Sequence, residues 1–286
     1  MEFSRSEIQL LEYTAKTLKK LGIKPRKQLG QNFLISENYR DRILNLIEPS
    51  ATETIIEIGG GIGALTFPLA EMTSNLVVYE LDNNLRDFLN DELNRINPKV
   101  IILGDFLKEY PPPNLQDRKF KIIGNIPYRI TSPILEKIYD CDVLPSETIL
   151  MVQSEFADRI TAKPPSSERG RITIWCEYHA EISDCFNVRK GSFYPAPEVG
   201  SKVIKLKTRS ELPLDTKQKM KFFEMVKISF SMKRKTLTNN LAVYRKDMKK
   251  NEIESMIEDV GLKKSVRAEA LSIQQFIRLF KTITSL

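Results

Sequence analysis

Apolar residues first recur at helical spacing near the start of the chain. They share one face of residues 5–21, and Gly22 follows, so an amphipathic N-terminal helix is predicted. A basic, turn-rich segment covers residues 25–34. Capping signals then predict a second helix over residues 36–47.

From residue 54 onward, short apolar runs alternate with helical stretches. The runs are TIIEIG, NLVVYEL, KVIILGD, FKIIGNIPY and TILMVQSEF. Repeated strand and helix units of this length predict an α/β fold with a doubly wound, mostly parallel sheet covered by helices on both faces. Two later strands, near residues 172–188 and 201–208, have no long helix between them, so an antiparallel hairpin is expected at the sheet.

The pattern changes again after RSELPLD, residues 209–215, and only helical stretches follow. This change predicts two domains. The first covers residues 1–208 and includes an N-terminal helical arm over residues 1–34. The second, residues 209–286, is a small helical domain.

Charge separates the two ends of the chain from its middle. The net charge of the 286 residues is +7. Residues 213–286 hold 16 Lys and Arg against 8 Asp and Glu, and residues 1–34 hold 7 against 3. A basic excess at both ends is typical of a protein that binds a polyanion.

Composition also excludes several classes of chemistry. No apolar run approaches the roughly 20 residues of a membrane span, and the N-terminus lacks a signal pattern, so a cytoplasmic protein without a membrane partner is expected. Three widely spaced cysteines suggest neither a disulfide framework nor a zinc site. The single histidine, His179, lies in WCEYHAEI and is interpreted as buried, so the reaction should need little proton shuttling.

Three predicted strand ends carry residues suited to a nucleotide-like cofactor. Gly59 and Gly61 precede a helix, where glycine allows close approach of a ligand to free N–H groups. Glu80 ends the next strand, and Asp105 and Phe106 end the third, so all would line one edge of the sheet. A dinucleotide and S-adenosylmethionine both fit. A carboxylate at Glu57, just before the glycines, favours the sulfonium cofactor without excluding the other.

The fourth strand end, GNIPY, suggests the substrate. Asn125 can present an amide oxygen, Pro127 can direct the carbonyl of Ile126 into the cleft, and Tyr128 supplies a flat ring. Two acceptors beside a stacking face match the exocyclic amine of a nucleobase. Hydrogen bonds to that amine favour the charge that develops as a methyl group arrives.

Seven sequence blocks together resemble the rRNA adenine N6-dimethyltransferase family. They are QNFL (31–34), EIGGGIGALT (57–66), ELD (80–82), GDF (104–106), GNIPY (124–128), SFYPAPEVGSKV (192–203) and KRKTLTNNL (233–241). The resemblance implies an S-adenosylmethionine-dependent, Rossmann-like methyltransferase domain with a small helical domain. The last block is most similar to that of the bacterial small-subunit rRNA enzymes.

The resemblance, taken with the strand ends, also implies roles for individual residues. The cofactor would be bound by Asn32, Leu34, Gly59, Gly61, Glu80, Asp105, Phe106 and Asn125. The catalytic residues would be Asn125, Tyr128 and Phe193, with the two rings enclosing a flipped adenine. RNA would be bound by Lys233, Arg234, Lys235 and Asn239, and no residue is assigned to a metal.

The implied reaction is N6,N6-dimethylation of two adjacent adenosines in the 3′-terminal hairpin loop of small-subunit rRNA. The implied substrate is a pre-ribosomal particle, and a monomer is expected. Alternatives are a large-subunit rRNA methyltransferase, a non-catalytic ribosome-assembly or transcription factor, and a nicotinamide oxidoreductase. Several predicted residues keep structural alternatives as well, among them Phe193 as a core anchor, Asp105 as a helix N-cap and Asn32 as a cap of the following turn.

Overall fold

The computed structural model describes residues 5–26, 30–50, 52–113, 115 and 119–284. Part of the predicted N-terminal arm, residues 1–4 and 27–29, lies outside the described residues, as do the last two residues of the predicted second domain.

Nine strands are found in the described residues. They are β1 (Phe33–Leu34), β2 (Thr54–Ile58), β3 (Leu76–Tyr79), β4 (Ile101–Leu103), β5 (Phe120–Asn125), β6 (Glu147–Gln153), β7 (Ala180–Val188), β8 (Phe193–Tyr194) and β9 (Ser201–Thr208).

Twelve α-helices are found in the described residues. They are α1 (Arg5–Lys20), α2 (Glu37–Ile47), α3 (Thr66–Met72), α4 (Asn83–Ile96), α5 (Phe106–Glu109), α6 (Thr131–Tyr139), α7 (Ser154–Thr161), α8 (Arg171–His179), α9 (Thr216–Ser229), α10 (Leu237–Tyr244), α11 (Lys250–Asp259) and α12 (Ile273–Thr284). None of the helices described is both long and apolar enough to cross a bilayer.

Seven strands form one sheet in the order β4-β3-β2-β5-β6-β9-β7. The pairs among β4, β3, β2, β5 and β6 are parallel, while β9 is antiparallel to β6. All side chains of β2 and β3 are buried, because helices cover both faces of the sheet. The predicted doubly wound, mostly parallel α/β fold is therefore confirmed.

The strand predicted near residues 172–188 is wrong in its first half. Residues 171–179 form helix α8, and β7 begins only at Ala180. Buried residues occur around most of α8, so the one-sided apolar pattern that marks a surface helix is missing. An apolar run of this kind has no periodicity that separates a strand from a buried helix.

Two compact units divide the chain. The first contains residues 1–157 and 183–208, and the second contains residues 158–182 and 209–286. The second unit therefore includes a segment that sequence analysis placed in the first domain. Ile174 and Tyr178 of α8 explain the difference, because they are buried in the same apolar cluster as helices α9 to α12.

Arg169 links this segment to the rest of the second unit through hydrogen bonds. Its guanidinium is 0% exposed and makes two hydrogen bonds to the carboxylate of Glu177, of 2.7 and 2.8 Å. It also donates to the carbonyl oxygens of Ala162 and Leu271. A fully buried cation is tolerated because each of these acceptors replaces water.

Candidate active site

A cavity in the first unit lies at the carboxyl edge of strands β2 to β5. Its lining includes Asn32, Gly59, Gly61, Glu80, Asp105, Phe106 and Asn125. These are seven of the eight residues for which cofactor contact was predicted. Ligands bind at this edge of open α/β sheets, because loops diverge there and free N–H groups point outward. The structure thus brings the four predicted strand ends together at one concave site.

Glycines let the backbone form the floor of this cavity. Gly59 has a φ of +83°, and a Cβ there would lie 3.1 Å from the backbone oxygen of Asn125. Gly61 has a φ of +57°, and its Cβ would lie 3.3 Å from the ring of Phe33. Any side chain at either position would be strained and would reduce the space for a ligand.

Glu80 is fixed at the end of β3 by two backbone donors. One carboxylate oxygen accepts from the N–H of Gly61 at 2.8 Å, and the other from the N–H of Asp82 at 2.9 Å. Burial raises the pKa of this carboxyl, and the amide hydrogen bonds oppose that rise. Each carboxylate oxygen retains a second lone pair, so hydroxyl groups of a ligand can still donate to it.

Glu57 does not have the position that sequence analysis expected. Its side chain is 1% exposed, and it is not among the described residues that line the cavity. Burial raises its pKa to about 8, a hydrogen bond with Thr66 opposes the rise, and the charge of Glu80 adds to it. A carboxyl that is largely protonated at neutral pH attracts a cationic cofactor weakly. The argument from Glu57 for a sulfonium cofactor is therefore wrong.

The buried carboxyl of Glu57 should make stability depend on pH. Between about pH 4.5 and pH 8 the unfolded chain has released this proton while the folded protein keeps it, so the free energy of unfolding falls as pH rises. Between pH 5 and pH 8, we expect the free energy of unfolding to fall by about 2–4 kcal/mol less in Glu57→Gln than in the wild type. Urea unfolding at both values measures this. Equal losses in the two proteins would contradict the expectation.

Asp105 and Phe106 follow β4 and line the cavity. Asp105 is the N-cap of α5: one oxygen accepts from the N–H of Leu107 at 3.0 Å, and the other lies 3.6 Å from the Nζ of Lys108. The ring of Phe106 packs edge-on against Tyr79 with centroids 5.0 Å apart. The N-cap alternative is thus present in the structure. Contact with an adenine stays a prediction for both residues.

The side-chain amide of Asn125 has a defined orientation. Its Nδ2 donates to the backbone oxygen of Asn32 at 2.9 Å. Because a carbonyl oxygen can only accept, the NH₂ end must face Asn32, and Oδ1 is left to accept from a ligand. The preceding Gly30 packs against Pro127, since a Cβ there would lie 2.9 Å from the Cβ of Pro127. The N-terminal arm therefore helps to orient the GNIPY loop.

Leu34, Phe193 and Tyr128 are not among the described residues that line the cavity. Leu34 is 2% and Phe193 3% exposed, and both belong to the main apolar core. They are paired across the antiparallel strands β1 and β8. The structure thus shows Phe193 as a core anchor, while its stacking role and the cofactor role of Leu34 stay predictions. Tyr128 is half-buried, and its hydroxyl lies 2.5 Å from Oγ of Ser201.

Sequence analysis missed several apolar residues of the cavity. Phe33, Tyr79 and Leu81 also line it, and Leu81 is 54% exposed. The signal at Leu81 was its place between two acidic residues directly after a strand.

The predicted RNA-binding residues lie in the second unit. Lys233, Arg234 and Lys235 are all exposed in the turn between α9 and α10. Asn239 donates to Oγ1 of Thr236 at 2.8 Å and accepts from Lys250 at 2.9 Å. The turn offers three cations to solvent, whereas Asn239 already has protein partners.

His179 is buried in the second unit, as sequence analysis expected. It is the last residue of α8, and its Nδ1 lies 2.8 Å from the carbonyl oxygen of Trp175. Burial lowers its pKa to about 3, the bond to Trp175 opposes this, and Lys219 adds to it. The ring is therefore neutral at physiological pH. Among the described residues, no group of three or more His, Cys, Asp or Glu is arranged to hold a metal ion.

Comparison with known proteins gives close matches over almost the whole chain. A protein named ribosomal RNA small subunit methyltransferase A from Syntrophus aciditrophicus is 38% identical over 278 residues, which cover 96% of this chain and 99% of that protein. A protein of the same name from Listeria monocytogenes is 37% identical over 277 residues, 93% of each chain.

Solved structures share the fold. A dimethyladenosine transferase from Plasmodium falciparum gives a TM-score of 0.74 at 22% identity, covering 86% of this chain and 95% of that one. The 23S rRNA methyltransferase ErmE gives a TM-score of 0.71 at 25% identity, covering 88% and 99%. The family model for ribosomal RNA adenine dimethylases matches residues 22–285. Since that match spans both units and the relatives extend over nearly the same length, the chain belongs to the ribosomal RNA adenine dimethylase family.

Proposed function

We propose that this chain transfers methyl groups from S-adenosylmethionine to N6 of two adjacent adenosines in the 3′-terminal hairpin loop of small-subunit rRNA. The observation that carries the proposal is the orientation of Asn125, whose amide oxygen is left to accept from an amine at the edge of the cavity. The proposal includes a monomeric enzyme that acts in the cytoplasm on a pre-ribosomal particle.

The residues present fit the proposed cofactor. Gly59 and Gly61 line the cavity with backbone that carries no side chain, and Glu80 can accept from ribose hydroxyls. Phe106 and Leu81 offer apolar surface to an adenine ring. When bound, S-adenosylmethionine supplies an electrophilic methyl group on a sulfonium sulfur.

Asn125 would activate the target amine. The lone pair of an exocyclic adenine amine is delocalised into the ring, which makes it a poor nucleophile. A hydrogen bond from the amine to Oδ1 becomes stronger as positive charge develops on nitrogen, so it stabilises the transition state more than the ground state. In this proposal the proton released after transfer goes to water, and no histidine base is required.

Tyr128 would hold the target base. A base in an RNA loop must leave its stack to reach an enclosed site, at a cost of a few kcal/mol. Stacking on one aromatic ring returns about 1–3 kcal/mol. The ring of Tyr128 is half-buried and follows Asn125 by three residues, so one loop would supply both the acceptor and the stacking surface.

Methylation of purified ribosomal subunits tests the function. Small and large subunits that lack adenine dimethylation would be incubated with radiolabelled S-adenosylmethionine and digested to nucleosides. We expect label in N6,N6-dimethyladenosine from the small subunit. Label in the large subunit would instead favour the 23S specificity that the name of ErmE states for that protein. Absence of label from both would overturn the proposal.

The turn with Lys233, Arg234 and Lys235 should carry part of the RNA affinity. Each cation that contacts a phosphate releases a counterion, so binding weakens as salt increases. Replacing all three with Gln is expected to weaken binding and to reduce the slope of log K against log salt by about 2–3. Filter binding of small subunits at several salt concentrations measures this slope.

The matched control removes three exposed cations from the first unit, at the amino edge of the sheet. Arg95, Lys99 and Lys119 are exposed there, and their replacement by Gln changes the net charge equally. We expect the salt slope of this control to stay near the wild-type value. Equal slopes in both triple variants would show that general charge, and not this turn, determines the affinity.

A further inference from the structure

We propose that Ser201 is a positioning residue that holds the ring of Tyr128 for the target base. This inference deepens the proposed function and rests on it. It joins two sequence blocks, GNIPY and SFYPAPEVGSKV, through one side-chain hydrogen bond. Sequence analysis assigned no role to Ser201.

The backbone of Tyr128 is fixed, but its ring is not fixed by the backbone alone. The N–H of Ile130 donates to the carbonyl oxygen of Pro127 at 3.1 Å. The hydroxyl of Thr131 donates to the backbone carbonyl oxygen of Tyr128 at 3.2 Å. A tyrosine ring still has two rotatable side-chain bonds, and the second has a broad preference. A bond at the far end of the ring removes this freedom.

Ser201 provides a fixed point for that bond. It is 1% exposed and is the first residue of β9, where it is paired with Gln153 of β6. The neighbouring N–H of Ser154 donates to the carbonyl oxygen of Gly200 at 2.9 Å and closes the corner between the two strands. The 2.5 Å contact between the hydroxyls therefore ties a loop residue to the rigid sheet.

The position of Tyr128 matters more because Phe193 is in the core. A base between two rings would be held even if one ring moved. Phe193 is packed among Leu34 and other core residues, whereas Tyr128 is half-buried and follows Asn125 by three residues. An error of about 1 Å in the placement of a substrate can cost 10²-fold in rate. A tether on Tyr128 is thus a means of aligning the base with the acceptor Oδ1.

A double-mutant cycle tests the tether. We expect Ser201→Ala and Tyr128→Phe each to lower kcat about tenfold, because either change removes the bond and keeps the ring. The double variant should also be about tenfold slower than wild type, since the two changes remove one interaction. Ser201→Thr keeps a hydroxyl and should retain most of the activity. The affinity for S-adenosylhomocysteine should not change in any of them.

A matched control removes another buried hydroxyl from the sheet. Thr148 on β6 is 0% exposed, and Thr148→Val should leave kcat unchanged. Losses that multiply in the Ser201/Tyr128 double variant, or an unchanged kcat in Ser201→Ala, would overturn the inference. If Ser201→Ala does not fold, unchanged activity of Tyr128→Phe would overturn it equally. If the wild-type protein methylates small subunits but the losses multiply in the double variant, the tether alone is refuted and the proposed function stands.

Discussion

Replacement of Asn125 by alanine is expected to reduce kcat for N6 methylation by about 10²-fold or more, the effect of removing one acceptor that acts in the transition state. The amide that would be lost is oriented by the hydrogen bond from its Nδ2 to the carbonyl oxygen of Asn32. Single-turnover methylation of small subunits measures the chemical step directly. Rates at saturating RNA and cofactor separate the loss in kcat from a loss in binding.

Asn75 supplies the control for that experiment. It lies at the amino end of β3, where its side chain donates to the carbonyl oxygen of Thr52 at 3.2 Å. Asn75→Ala should therefore keep the wild-type rate. If Asn125→Ala methylates within threefold of wild type, the proposed role of its amide oxygen is wrong, whatever the effect on RNA binding.

Replacement of Arg169 by methionine is expected to destabilise the second unit by about 3–5 kcal/mol, since Glu177 would keep a charge without its partner. The apolar stem of methionine fills part of the space, so the lost ion pair dominates the effect. Guanidinium unfolding followed by the fluorescence of Trp175, which lies in the same unit, reports this loss.

Two further variants separate the buried pair from ordinary surface charge. Lys264 makes two exposed ion pairs in the same unit, with Glu254 and Glu258, and Lys264→Ala should cost less than about 1 kcal/mol. Arg169→Met combined with Glu177→Leu should recover part of the stability, because neither charge is then left alone. A loss in Arg169→Met no larger than that in Lys264→Ala would refute the role given to the pair.

The central sheet could be predicted from the sequence because its strands are buried on both faces. The runs at β2, β3, β5 and β6 are mostly apolar, and a glycine or polar residue ends each of them, so both the strands and the sheet edge that carries the site were evident. Gly59, Glu80 and Asn125 followed from that edge without any tertiary information.

The features of the site that could not be predicted are those that depend on the orientation of a side chain. Glu57 and Leu34 stand beside cavity residues in the sequence, but each faces the core, because alternate residues of a strand point to opposite sides. Sequence patterns give no information on that choice when both faces are apolar. Helix α8 was missed for a related reason, since burial on most sides removes the periodicity that identifies a helix.

The interleaving of the two units has a consequence for synthesis of the protein. Residues 158–182 leave the ribosome before residues 183–208. The first unit therefore cannot complete its folding until part of the second unit has already emerged. Strand β1 likewise cannot pair until β8 has been synthesised, because Phe33 and Leu34 pair with Tyr194 and Phe193. A nascent chain halted between them would expose unpaired strand edges, and such edges favour aggregation. Translation pauses in this interval should therefore lower the yield of active enzyme far more than pauses after residue 208.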